Sequence, residues 1–221
     1  MLDDIENTLQ SAVLLICSLI AFWRAFCLQS RTWTLLGFFF GSWLLGDLYW
    51  TFSLLFYGWN PTDVSVVSDL SWYASYIFLY ILLRHAAPPP GGREKRILPW
   101  LGFLFTLGMG VYFCTFYIQW NEEQGYHFFL WEKALNNLIY AVLMGLLLFS
   151  AIRRLLDRDR DPSQRGLPAV ILIFCLLEYG LWTASCFWWD ESLLNPYYWF
   201  DFLVTVSFFL FLPAVNKAVK A

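Results

Sequence analysis

The chain has 221 residues, 59% of them hydrophobic and 14% charged, with a mean hydropathy of +0.54. That balance excludes an ordinary soluble domain, and a net charge of −3 gives no basis for a nucleic-acid partner. Five Cys (17, 27, 114, 175 and 186) without a CxxC pair argue against a disulfide framework or a zinc centre, and read as small apolar packing residues.

Seven apolar stretches approach or exceed the roughly 20 residues needed to cross a bilayer: 9–28, 33–57, 64–85, 97–118, 128–152, 167–189 and 195–215. They predict an all-α integral membrane protein with seven transmembrane helices in a single domain over 1–221. The first stretch does not read as a cleavable signal, because its amino end carries Asp3, Asp4 and Glu6 and no small-residue cleavage site follows. Thirteen of the fourteen Lys and Arg residues, all but Lys133, fall in one set of loops or at the carboxyl terminus. The positive-inside rule then puts the amino terminus outside and the carboxyl terminus in the cytoplasm. The expected location is a bacterial cytoplasmic membrane.

In chain order, the first stretch reads as plain lipid-facing helix with no chemistry. The second carries Asp47 in Gly46-Asp47-Leu48-Tyr49-Trp50-Thr51. Positions i, i+3 and i+4 share a helix face, so Asp47, Trp50 and Thr51 point the same way. In the third, Asp69, Trp72, Tyr73, Tyr76 and Tyr80 form one acidic–aromatic stripe about 16 Å long at 1.5 Å per residue. A headgroup belt is shallower than that. The fourth has no acid and reads as a linker, followed by an outer loop from Asn121 to His127. The fifth puts Glu132, Asn136 and Tyr140 on one face with Asn137 adjacent, either as helix glue or as cavity lining. The loop from Arg153 to Arg165 reads as solvated. The sixth aligns Glu178, Trp182 and Ser185, and the seventh aligns Tyr198, Asp201 and Thr205.

An internal match organises these parts. Trp50, Thr51, Ser53, Asp69 and Ser75 reappear as Trp182, Thr183, Ser185, Asp201 and Ser207, at a constant offset of 132 without a gap. This predicts two parallel three-helix repeats, 9–85 and 128–215, joined by the linker helix 97–118. Membrane proteins built from such repeats place their sites at the repeat interface. The element order, with repeat-related Trp on helices 2 and 6 and a polar residue on helices 3 and 7, resembles the SWEET and PQ-loop transporters. The chain lacks their Pro-Gln dipeptide and has Asp where they have Asn.

Four carboxylates fall inside predicted spans, Asp47, Asp69, Glu178 and Asp201, with no Lys or Arg at comparable depth. An acid at that depth is expensive and marks a functional site by default. Without a cation to pair with, desolvation favours its neutral form. Aromatics make up 21% of the chain, 13 Trp, 12 Tyr and 22 Phe, and many share faces with the acids. Ring faces stabilise cations by up to about 2 kcal/mol each where water is excluded. An acid in an aromatic-lined dry cavity suits a carbocation reaction.

The pattern is similar to the small seven-helix integral-membrane terpene cyclases of meroterpenoid and indole-terpenoid pathways. They rely on an acid beside Trp and Tyr on helix 2, an acid on helix 3 and an Asp on helix 7. The resemblance implies protonation of an olefin or epoxide of a lipophilic prenylated substrate. Asp47 and Asp201 would be the chief catalytic acids, with Asp69 and Glu178 beside them. Trp50, Trp72, Tyr73, Tyr76, Trp182, Tyr198 and Asn136 would line the substrate cavity. This chain departs from the family in having Asp, with Trp three residues later, where the family favours Glu preceded by Trp. No Asp-rich run lies within the spans for Mg²⁺ and diphosphate, so neither a metal nor another cofactor is expected. Gly-Asp-x-x-Trp with Ser-Asp-Leu and a Tyr-rich helix also resembles the membrane regions of bacterial GGDEF-type sensors, which makes a ligand sensor the third expectation after cyclase and proton-coupled transporter. Asp69 and Asp201 lie within about 10 Å of the predicted outer boundary, so a lipophilic substrate would enter sideways from the bilayer.

Overall fold

The computed structural model describes residues 2–57, 65–89, 97–124, 130–157, 162–187 and 192–220. Among them are seven α-helices and no strand. They are α1 (Leu2–Leu28), α2 (Arg31–Tyr57), α3 (Ser65–Ala86), α4 (Ile97–Gln124), α5 (Leu130–Leu155), α6 (Gly166–Phe187) and α7 (Pro196–Lys220), with a 3₁₀ turn at Pro162–Arg165. Four helical segments, Ile5–Leu28, Leu135–Leu155, Gly166–Ser185 and Pro196–Val219, are long and apolar enough to cross a membrane by length and composition.

Two boundaries differ from expectation for local reasons. α1 starts at Leu2 rather than near residue 9, since acidic residues near a helix start are compatible with the positive end of its dipole and need not break the helix. α4 runs on through Asn121–Gln124, so those residues form its last turn and not a loop; the rest of that expected loop, through His127, lies outside the described residues. The side chains of Trp131, Glu132 and Lys133 are likewise outside them.

The break between α1 and α2 is two residues wide, Gln29 and Ser30. Gln29 adopts φ 48°, and Ser30 N–H reaches back to the Ala25 carbonyl at 3.2 Å, closing α1 with a left-handed cap. The Ser30 carbonyl accepts from both the Thr34 amide and the Thr34 hydroxyl at 3.1 Å, which starts α2.

Helix neighbours fall into matched pairs. α1 packs on α2 and α2 on α3; α5 packs on α6 and α6 on α7; α1 meets α7, and α3 meets α5. Exchanging the triplets α1–α3 and α5–α7 maps each contact onto another of the set. α4 stands apart and lies along α5. Its approach depends on small residues: a Cβ on Gly110 would sit 2.4 Å from Ala141 Cβ and 3.2 Å from the Asn137 carbonyl.

The buried centre is aromatic. Phe39, Phe40, Trp43, Phe174, Phe208 and Phe211 pack with ring centroids 5.1–6.3 Å apart in mostly edge-on and tilted pairs, the arrangement the ring quadrupole favours. At one end of this core, Arg154 is buried rather than solvated. It donates to the Ala87 carbonyl just past the end of α3 and to the Ser150 carbonyl at 2.8 Å, placing a cation against the negative end of α3.

The α4–α5 contact gives a paired prediction. Gly110→Ala should lower stability by about 1–3 kcal/mol through overpacking. Gly108→Ala, two residues away with nothing within 4 Å of its added Cβ, should raise it by up to about 1 kcal/mol through helix propensity. Unfolding midpoints of the two purified variants check this.

Candidate functional site

All four predicted acids are buried: Asp47 is 3% exposed, Asp69 9%, Glu178 8% and Asp201 4%. Their local bonds differ. Asp47, in the middle of α2, accepts the Trp72 indole N–H of α3 on Oδ1 at 2.9 Å. The approach depends on Gly46, where an added Cβ would lie 2.6 Å from Trp72 Nε1. Glu178, in the middle of α6, accepts the Tyr76 hydroxyl of the same α3 on Oε2 at 2.8 Å. Trp72 and Tyr76 are one turn apart, so a single face of α3 holds both acids.

Each of these acids keeps one oxygen without a protein partner. Asp47 Oδ2 and Glu178 Oε1 are buried with no hydrogen bond, and Thr51 Oγ1, one turn beyond Asp47, is in the same state. A buried polar group left this way costs about 1–3 kcal/mol. Asp47 lies within electrostatic range of both Glu178 and Asp201, and Glu178 within range of Asp201. Asp69, one turn before Trp72 on α3, acts electrostatically on Tyr140, as Glu178 and Asp47 also do.

Asp201 is held from α1. The Gln10 amide donates to both its oxygens, at 3.0 and 3.3 Å, and to Thr205 Oγ1 at 3.1 Å. Glu6 also hydrogen-bonds Asp201. This corrects the reading of the first helix as chemically empty. Gln10 stands one turn after Glu6 on the same face of α1, and that i, i+4 spacing, with an amide among apolar residues that needs a partner, was the signal available.

The predicted lining residues divide into groups. Trp72 and Tyr76 bind the acids directly. Tyr73 donates to Asn136 Oδ1 on α5, and its ring meets Tyr140 at 5.0 Å. Trp182 turns its N–H to Asn137 Oδ1 at 2.8 Å, so it meets an amide and not an acid. Trp50 is half-buried, its ring 6.5 Å from that of Trp72. Tyr198 lies with Asp201 on a cleft of about 230 Å³ between the starts of α1 and α7. Asp47, Glu178, Trp50 and Trp72 are not on that cleft.

The 132-residue match is visible in some details and broken in others. Ser75 and Ser207 bond the carbonyl three residues back in the same way, both at 2.6 Å. Thr183 bonds the Tyr179 carbonyl at 2.7 Å, whereas its counterpart Thr51 has no partner. The counterparts of Trp72 and Tyr76 on α7 are Val204 and Phe208, which have no polar hydrogen to donate. Both acids of α2 and α6 therefore depend on α3.

No protein-family model, no curated protein and no solved structure matches the chain. Among the described residues no group of three His, Cys, Asp or Glu side chains is arranged to hold a metal ion.

Removing the Tyr76 hydroxyl leaves Glu178 without either bond. Tyr76→Phe should therefore cost about 1–3 kcal/mol. Tyr80→Phe, one turn on, where the ring is half-buried and faced by Arg84 at 5.9 Å, should stay within about 0.5 kcal/mol. Equal losses in denaturant unfolding of the two variants would contradict the assignment.

Proposed function

We propose that this chain is a multi-pass membrane protein with seven spans, the amino terminus outside and the two triplets α1–α3 and α5–α7 as parallel repeats. Within it, the acids and aromatics form a terpene cyclase that works by protonation. The apolar faces support the membrane placement: Phe26, Leu55, Phe56, Leu104 and Phe105 project outward from three helices, as lipid-facing residues do. The matched helix contacts support the repeat.

The observation that carries the activity is the state of Asp47 and Glu178. Each has one oxygen fixed by an aromatic donor and the other free, in an aromatic environment. With Oδ1 occupied by Trp72, Asp47 carries its transferable proton on Oδ2. Delivery of that proton to an olefin carbon, whose π bond breaks, or to an epoxide oxygen, whose C–O bond opens to leave a hydroxyl, generates a carbocation, which the ring faces stabilise as bonds form. A second carboxylate, Asp201, takes up the proton lost when the last cation collapses to an alkene. The substrate class is a prenylated small molecule that partitions into the bilayer.

The helix pairing favours one alternative, a proton-coupled transporter in which the triplets rock about the acids. The two readings separate in one assay. Membranes containing the protein are incubated with a polyprenylated aromatic, and cyclised product is measured. The cyclase reading expects Asp47→Asn and Asp201→Asn each to lose about 10²-fold or more, the usual effect of a general acid. Wild-type rates in both variants, or solute uptake driven by a pH gradient with no cyclisation, would overturn it.

A further inference from the structure

The cleft between α1 and α7 joins three features that bear on how a ligand reaches the protein. Its floor is acidic: Asp201 and Glu6 both line it. Its walls are apolar and aromatic, chiefly Leu9, Leu193, Trp199 and Phe202, each of which is more than a third exposed on the outer surface. None of its lining residues is Lys or Arg. A carboxylate offers about four lone-pair directions. The bifurcated Gln10 amide occupies two and Glu6 a third, which leaves acceptor capacity on the cleft side.

The cleft, about 230 Å³, opens on the outer surface and can seat one end of a chain molecule. The rest of such a molecule lies along the exposed apolar faces of α1 and α7, which continue the cleft outward.

We infer that the α1–α7 cleft is the lateral mouth of the protein. It takes the donor-bearing or cationic end of a single-chain lipophilic molecule, which Asp201 receives while Gln10 and Glu6 hold that carboxyl in place. This rests on the membrane placement proposed above and not on the cyclisation chemistry. Asp201 is the one of the four buried acids on this cleft, so it is the first a ligand meets there. Two carboxyls on a cleft whose lining holds no Lys or Arg select a head that donates hydrogen bonds and disfavour an anionic one by desolvation and repulsion.

The test is photolabelling of the full chain in lipid nanodiscs, read by mass spectrometry, so it does not depend on turnover. The probes are decylamine and decyl sulfate, each with a diazirine near the head. The inference expects the amine to label peptides covering residues 5–10 and 198–205 at least tenfold above other apolar helix faces, and the sulfate to show no such excess. Gln10→Leu and Asp201→Asn should each remove the excess. Gln10→Leu disturbs a buried bond, so Leu193→Trp serves as a second variant: Leu193 is exposed, and the larger ring narrows the cleft without touching the core. It should also reduce the amine labelling severalfold. Gln10→Glu keeps side-chain length but exchanges a donor for an acceptor; loss of labelling there with retained folding marks positioning rather than packing. Labelling spread evenly over all helices, equal labelling by amine and sulfate, or wild-type labelling in Asp201→Asn and Leu193→Trp would each overturn the inference. Specific labelling with no cyclisation would retain the mouth and remove the cyclase.

Discussion

A buried carboxyl in an apolar bundle must find hydrogen-bond donors, and in this chain the donors come from neutral side chains. Trp72 and Tyr76 on one face of α3 supply Asp47 and Glu178, and Gln10 on α1 supplies Asp201. Much of the middle of the bundle follows from that requirement. Gly46 is small because the Trp72 indole lies across it. The Tyr76 ring packs against Trp43 and Phe174 because its hydroxyl has to reach α6. Among the described residues the two triplets are tied by polar bonds at four places: α3 to α6 through Tyr76–Glu178, α3 to α5 through Tyr73–Asn136, the end of α3 to α5 through the Ala87 carbonyl and Arg154, and α1 to α7 through Gln10–Asp201. In an apolar surround such bonds fix register, since sliding a helix by one turn would strand a carboxyl without a partner.

The acids also explain the inexact internal match. If both halves were used alike, α7 would offer a donor pair like Trp72 and Tyr76. It has Val204 and Phe208 at those positions, and Phe208 belongs to the aromatic core. The counterpart of Glu178 is Gly46, which makes room for the indole that Asp47 needs. The counterpart of Asp47 is Tyr179, whose hydroxyl meets Thr106 on α4. One triplet thus supplies the donors and the other uses the equivalent space for packing. That asymmetry gives each acid its own surroundings, which suits a site where one carboxyl gives a proton and another receives it.

The helices were legible in the sequence because seven long apolar runs with basic residues between them leave few alternatives. Their ends were not, since acidic residues at the start of α1 and the end of α4 are compatible with helix as well as loop. The burial of Asp47, Asp69, Glu178 and Asp201 was also legible, because acids in such runs have no route to solvent. The stripe of Trp72, Tyr73 and Tyr76 was visible as a helical period, but its assignment among Asp47, Asn136 and Glu178 depends on how α2, α5 and α6 cross α3. Those crossings are set by contacts such as Gly46 against Trp72 that no spacing rule encodes. Trp182, grouped with the acids by the 132-residue match, turns instead to Asn137. Gln10 and Glu6 went unassigned because their i, i+4 spacing marks a shared face of α1 but not which neighbour that face meets.

The central claim is that acids from α2, α6 and α7 share one site. The most direct measurement is ¹³C NMR of the side-chain carboxyls in protein labelled at Asp and Glu and held in nanodiscs, with each resonance assigned by its loss on substitution. Asp47→Asn is predicted to shift the carboxyl resonances of both Glu178 and Asp201 while leaving that of Asp157, just past the end of α5, unchanged. Resonances of Glu178 and Asp201 that stay at their wild-type positions would place the three acids in separate environments and contradict the account.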